Sequence, residues 1–207
     1  LEYSRSVSSS LVGLQPPNRH ASYGEQIYVK LLAHCVILRR LAPDPQRRTQ
    51  AEFWDVPSIS AISRCVIEAH DAFMYVVAVG TPDPEKEFRL LLWETHDKCR
   101  RAHMLDAIGS KGEKVDEIRT ERDRLLKSLQ QHPTFDSLRP DLKKKISKGD
   151  PPAFHLSQRE LCKEWCINYD YYNAVTMQLS QYVHTFPFSV HQMFSFKAGT
   201  LEGLRLM

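Results

Sequence analysis

Residues 55–80, DVPSISAISRCVIEAHDAFMYVVAVG, decide the fold class. From its C-terminal end the segment looks like a strand, because Tyr75, Val76, Val77, Ala78 and Val79 form a run rich in β-branched side chains. From its start it looks like a helix. Asp55 or Ser58 can cap it, Pro57 suits the first turn and Gly80 stops it. The apolar residues Ile59, Ile62, Val66, Phe73, Val76 and Val77 follow a helical period that continues into the strand-like end. The spacing therefore predicts one continuous helix.

Upstream, residues 1–21 are Ser-rich, contain Pro16-Pro17 and read as an irregular arm. Ser22 and Glu25 form an S-x-x-E capping box that opens a helix reaching about Leu41, where Pro43 and Pro45 end it. A polar, Arg-rich loop follows to about Asp55. Downstream, Asp83 is the N-cap candidate of a third helix, with Pro84 at its first position and Glu85 and Glu87 where the helix dipole favours acid. That helix extends to about Ile108. Gly109 and Gly112 bracket a connection so short that the next helix, from about Glu113 to Gln131, must return antiparallel. Its apolar seam of Val115, Ile118, Leu125 and Leu129 is narrow, so its charged outer face meets solvent or a second subunit. A short basic helix around Asp141 to Lys148 ends at Gly149. Ser157 and Glu160 form a second capping box, opening a long helix to about His184 with Trp165, Tyr172, Val175, Leu179 and Val183 as its core stripe. Residues 188–207 are a tail with room for one short helix. No strand-turn-strand signal interrupts this pattern. The expected fold is all-α, a single bundle of five to seven helices over residues 22–187, with little or no sheet.

Composition narrows the function classes. The chain is 42% hydrophobic and 26% charged, enough to bury a core without metal or disulfide staples. A net charge of +3 from 28 basic and 25 acidic residues does not by itself imply nucleic acid or acidic lipid. Five scattered cysteines, an odd number, read as buried free thiols in a reducing compartment, hence the cytoplasm. Cys162 and Cys166 are four apart but lack a second ligand pair at zinc spacing, so no metal and no cofactor are expected. The most apolar stretch carries Arg64, Glu68, His70 and Asp71, which argues against a membrane span. The chain does not begin with Met, so it is expected to start inside a longer protein or at a processed end.

Two polar stripes hold the candidate site residues. At ~100° per residue, Ser60, Arg64, Glu68, Asp71 and Tyr75 share one side of the helix over residues 55–80. Arg64 and Glu68 are spaced to pair, and Asp71 can share the guanidinium. On the late helix, Asp170, Asn173, Ser180 and His184 lie opposite the tryptophan stripe, with His184 at the helix end where the dipole favours its cation. Each stripe reads either as a solvated face or as one wall of a pocket. If they face each other, Arg64, Glu68 and His184 are the candidate catalytic groups, and Asp71, Tyr75, Asn173 and Ser180 the candidate binding groups. His96, Arg100 and His103 read as a solvated face. Lys143, Lys144, Lys145 and Lys148 are either a phosphate contact or a solubilising face. There is no P-loop, GxGxxG, GxSxG or HExxH motif.

Arg64-Cys65-Val66-Ile67-Glu68 in the early helix and Ser180-Gln181-Tyr182-Val183-His184 closing the late one resemble a bacterial all-α family of unknown function. That family has an Arg-x-x-x-Glu helix early and a Ser-x-x-Val-His ending late, and it looks related to the HEPN bundles. The resemblance spans residues 25–195 and rests on these short motifs. It implies a metal-independent ribonuclease site of Arg and His. HEPN nucleases place that Arg shortly before the His on the same helix. The stretch from Asn173 to Leu179 has none, so the resemblance leaves Arg64 to supply the cation from another helix. Two expectations follow. One is a binding or regulatory module of a bacterial cytoplasmic system. The other is a HEPN-like ribonuclease or nucleotide-binding protein of a stress or defence system. RNA, or a second copy of the chain docked through the charged helical hairpin, would be the partner.

Overall fold

The computed structural model of the chain describes residues 2–42, 55–184 and 186–193. The fold is all-α, and among the described residues there is no strand. No helix of the described residues is long and apolar enough to cross a membrane.

The expected irregular arm contains a helix, α1 (Glu2–Leu11). Its serines do not unravel it, because hydroxyls such as that of Ser10, which donates to the Val7 carbonyl at 2.7 Å, bond back onto the helix. Helix α2 (Arg19–Leu41) begins one turn before the expected capping box. Asn18, extended and preceded by two prolines, accepts from the Ala21 N–H at 2.9 Å, which leaves Ser22 inside the first turn. The Arg-rich loop at 43–54 lies outside the described residues. Helix α3 (Val56–Val77) takes in the strand-like run through Val77. Asp55 caps it by accepting from the Ser58 N–H at 3.1 Å and from the Ser58 hydroxyl, bonds that hold its carboxyl below the usual range. Ala78 and Gly80, both left-handed, end it.

Helices α4 (Asp83–Ala107) and α5 (Glu113–Gln130) form the expected antiparallel hairpin, with Arg119 of α5 bonded to Asp106 of α4 at 2.6 Å. Asp83 is the first residue of α4 rather than its cap. Pro82 occupies the cap position and makes no side-chain bond. A 3-10 turn (Pro133–Ser137) and α6 (Pro140–Ser147) follow.

The expected long helix is broken in two, α7 (Gln158–Glu164) and α8 (Tyr169–Val183). The Ser157–Glu160 capping box forms as read: Glu160 accepts from the Ser157 N–H and hydroxyl, and the Ser157 hydroxyl oxygen accepts from the Glu160 N–H. The break comes at Cys166, whose φ of 55° is left-handed, while the Ile167 N–H closes on the Cys162 carbonyl at 2.8 Å. Asn168 then caps α8 by accepting from the Tyr171 N–H at 3.0 Å. Pro187, expected only to limit the preceding helix, opens α9 (Pro187–Met193). Residues 194–207 lie outside the described residues.

The chain divides into two compact units, Leu1–Phe73 with Cys162–Met207, and Met74–Leu161. The second has an apolar core of Phe88, Leu92, Leu129, Leu138, Leu142 and Ile146, drawn from the hairpin, the 3-10 turn and α6. Beside it lies a buried polar cluster. Arg89, 2% exposed, donates from Nε and Nη2 to Glu85 and stacks over the Tyr75 ring at 5.2 Å. The Tyr75 hydroxyl is 2.8 Å from His155 Nδ1, and His155 Nε2 is 3.8 Å from Glu85.

The first unit is built differently. Apart from Ile27, Ala69 and Cys162, its buried side chains are polar ones: His20, Ser60, Asp71 and Ser189. Helix α8 has no buried residue. Trp165, Tyr172, Val175 and Leu179 of the expected core stripe are half-buried, and Val183 is 39% exposed. Part of the reason is that the stripe meets polar groups on α3.

Candidate functional site

The polar stripe of α3 meets one residue of the late polar stripe, Ser180, and one of the tryptophan stripe, Tyr172, while Asp170, Asn173 and His184 are exposed. Arg64 of α3 donates from Nη1 to the Ser180 hydroxyl of α8 and from Nε to Glu68 at 2.8 Å. Ser180 is arranged to accept, because its own hydroxyl proton is given to the Thr176 carbonyl at 2.8 Å. Two turns along α3, Asp71 accepts at 2.6 Å from the hydroxyl of Tyr172, two turns back on α8. The pairs run in opposite order along the chain, so the helices are antiparallel. Thr176, between them, bonds the Tyr172 carbonyl of its own helix at 2.9 Å.

This seam is a clamp. Asp71 is almost wholly buried, and a buried carboxylate is tolerated only when it is hydrogen-bonded or paired. Tyr172 supplies the bond, and His70 Nδ1 lies 3.4 Å from the other carboxylate oxygen. Burial, and then the bond to Asp71, push the Tyr172 phenol well above its usual range, so it remains a donor. Next to it His70 stands edge-on to Trp165 at 6.1 Å, closing the end of the seam. Arg64 is less enclosed. A third of its side chain reaches solvent, and Glu68 neutralises it from an exposed position.

The expected site residues therefore fall into three groups. Arg64, Glu68 and Ser180 come together, with Asp71 alongside. Tyr75 belongs to the second unit, where its hydroxyl is engaged by His155. Asn173 and His184 are exposed. His184 is the C-cap of α8; its N–H donates to the Ser180 carbonyl at 3.1 Å, and its ring lies 5.4 Å from that of Phe186. Among the described residues no hydrogen bond or ion pair joins it to Arg64. Sequence reasoning missed Tyr172, which it assigned to the apolar stripe, and the Glu85–Arg89–Tyr75–His155 cluster. The spacing of Glu85 and Arg89 is the only local signal of that cluster.

Among the described residues no three His, Cys, Asp or Glu side chains converge in a way that could hold a metal ion. Helix α6 and its C-cap residue present Lys144, Lys145 and Lys148 to solvent, while Lys143 donates to the Asp136 carbonyl and sits over Phe135. Comparison with protein-family models, with curated proteins and with solved structures finds no match to this chain.

Proposed function

We propose that the chain is a non-enzymatic binding module, working in the cytoplasm of a bacterial cell. The observation that carries this reading is the inversion of the first unit. Asp71 is buried and bonded to Tyr172, and Arg64 is bonded to Ser180 and Glu68, while Tyr171, Met177 and Phe188 on α8 and α9 are 72%, 57% and 46% exposed. Groups already bonded within the chain are poorly placed to turn over a substrate, whereas grouped exposed aromatics and Met are what a partner surface offers.

One observation favours a second reading, a HEPN-like ribonuclease. The Arg64–Ser180 bond puts the guanidinium one helical turn from His184. General acid–base chemistry at His184 would require a phosphodiester held between the two.

A photo-reactive phenylalanine analogue placed at Tyr171 in cells producing the chain, together with RNA digestion by the purified protein, separates the readings. The binding module predicts covalent adducts at Tyr171 and no cleavage above background. Cleavage that disappears in both His184→Ala and Arg64→Ala, with no adduct formed, would overturn it in favour of the nuclease.

A further inference from the structure

We propose that His132 is an acid-released cap, whose protonation below neutral pH loosens the 3-10 turn Pro133–Ser137 against the core of the second unit. The device lies in the second unit and is independent of what the first unit binds.

The sequence makes a cap necessary here. Pro133 opens the turn and has no N–H, so Thr134 carries the first donor that needs an acceptor. His132 supplies it, with Nδ1 at 3.2 Å from the Thr134 nitrogen. A backbone N–H only donates, so Nδ1 keeps its lone pair and the ring proton sits on Nε2. A second proton turns this acceptor into a donor and sets two N–H groups against each other. His96 and His155 of the same unit also bond at Nδ1, but those bonds survive protonation. His96 meets the Pro151 carbonyl at 2.8 Å, which accepts from a neutral or a charged ring alike. His155 meets the Tyr75 hydroxyl, which can donate or accept. Of these three bonds, that of His132 is the one a proton must break.

The surroundings favour the neutral ring. His132 is half-buried and tilted against the fully buried Phe88, with ring centres 5.3 Å apart. Burial disfavours the imidazolium and holds the group below its ordinary value of 6.5, while Glu87 of α4 opposes this without reversing it. Among the other charged groups on neighbouring elements, Lys143 of α6 is engaged by the Asp136 carbonyl and the Phe135 ring, and the Asp136 and Lys127 side chains are exposed. A group lowered on folding stabilises fully above its unfolded value, so the cap is complete above about pH 6.5 and is lost as the pH falls below it. The turn is tied to the core it adjoins. Phe135 packs against that core, and Leu138, the C-cap of the turn, is buried in it. Uncapping the turn therefore slackens one wall of the second unit while leaving the α4–α5 hairpin in place.

The test is nuclear magnetic resonance of the full chain from about pH 7.5 to about pH 5, following the imidazole nitrogens and the exchange of each backbone amide relative to its intrinsic rate at the same pH. At neutral pH the His132 proton should be on Nε2, and the ring should titrate below 6.5. As it does, the opening of the Thr134 amide should rise about tenfold, the loss of one ordinary hydrogen bond. His132→Asn, whose side chain caps without titrating, should keep that amide protected across the range. His132→Ala should leave it open already at neutral pH. A ring proton on Nδ1 at neutral pH overturns the proposal, as does a Thr134 amide whose opening does not follow the His132 titration. A rise that persists undiminished in His132→Asn overturns it equally. So does an equal rise at the Leu92 and Leu129 amides, which would mean that acid unfolds the whole unit and not the turn. Should His132→Asn fail to fold, the wild-type titration decides alone.

Discussion

Replacing Tyr172 with Phe removes one hydroxyl and keeps the ring, so it isolates the bond that closes the α3–α8 seam. That hydroxyl donates at 2.6 Å to Asp71, whose side chain is 6% exposed. A hydrogen bond to a charged group contributes about 1.5–3 kcal/mol. The His70 contact left behind, at 3.4 Å, is long. The loss should therefore be about 2 kcal/mol, or a fall in Tm of about 4–8 °C for a chain of this size. Differential scanning calorimetry at neutral pH measures it. The pH dependence gives a second reading. The folded Tyr172 phenol is raised above its ordinary value of 10.0, so its contribution is complete below that pH and is lost as pH rises through the folded value. The gap between wild type and Tyr172→Phe should stay constant from neutrality to about pH 10 and narrow only beyond it. A variant melting within ~1 °C of wild type at neutral pH would mean that the bond contributes nothing net. A gap that closes well below pH 10 would mean that another group is responsible.

Leu129→Ala empties a fully buried position in the core of the second unit and should cost about 2–5 kcal/mol by urea denaturation. Trp165→Ala should cost less than the ~3–5 kcal/mol of a fully buried Trp, since Trp165 is half-buried. Ser157→Ala should cost ~1 kcal/mol at neutral pH through the lost cap. The Ser157 bonds hold the Glu160 carboxyl below its ordinary value of 4.5, so their contribution is lost as pH falls, and wild type and variant should converge in acid. With a thiol reagent, exposed Cys166 should react first, while Cys99, buried and pushed up to about 11 mainly by desolvation, should react only after unfolding.

The sequence was legible wherever a structural decision is made by neighbouring residues. Asp55 and the Ser157–Glu160 box reach their own helix starts, and two glycines in four positions force the α4–α5 reversal. It was misleading where the deciding group lies elsewhere or where a local signal is atypical. The apolar period from Trp165 to Val183 runs straight through the break at Cys166, since a left-handed cysteine announces nothing; only Asn168, followed by Asp170, signals a new helix. Serines at 4–10 looked irregular because their ability to bond back onto a helix is invisible in a composition. Both polar stripes could be read from periodicity, but the partner Ser180 offers Arg64 lies 116 positions away. Tyr172 was counted as apolar for its ring, when its hydroxyl does the bonding. Arg89 has no local signal beyond its spacing from Glu85, because nothing nearby in the sequence places the Tyr75 ring against it.

That enclosure constrains how the chain can change over generations. Arg89 is held on two sides at once, by the forked bond to Glu85 and by the Tyr75 ring, and a Lys in its place cannot reproduce both. Losing Arg89 alone empties a fully buried space against the Tyr75 ring, and losing Glu85 alone removes the forked acceptor of a buried cation. Each single step is costly, yet exchanging the whole group for apolar side chains of similar volume need not be. Positions 75, 85, 89 and 155 should therefore be inherited as a block. Intermediate sequences are disfavoured, and relatives should carry either all four of these residues or none of them.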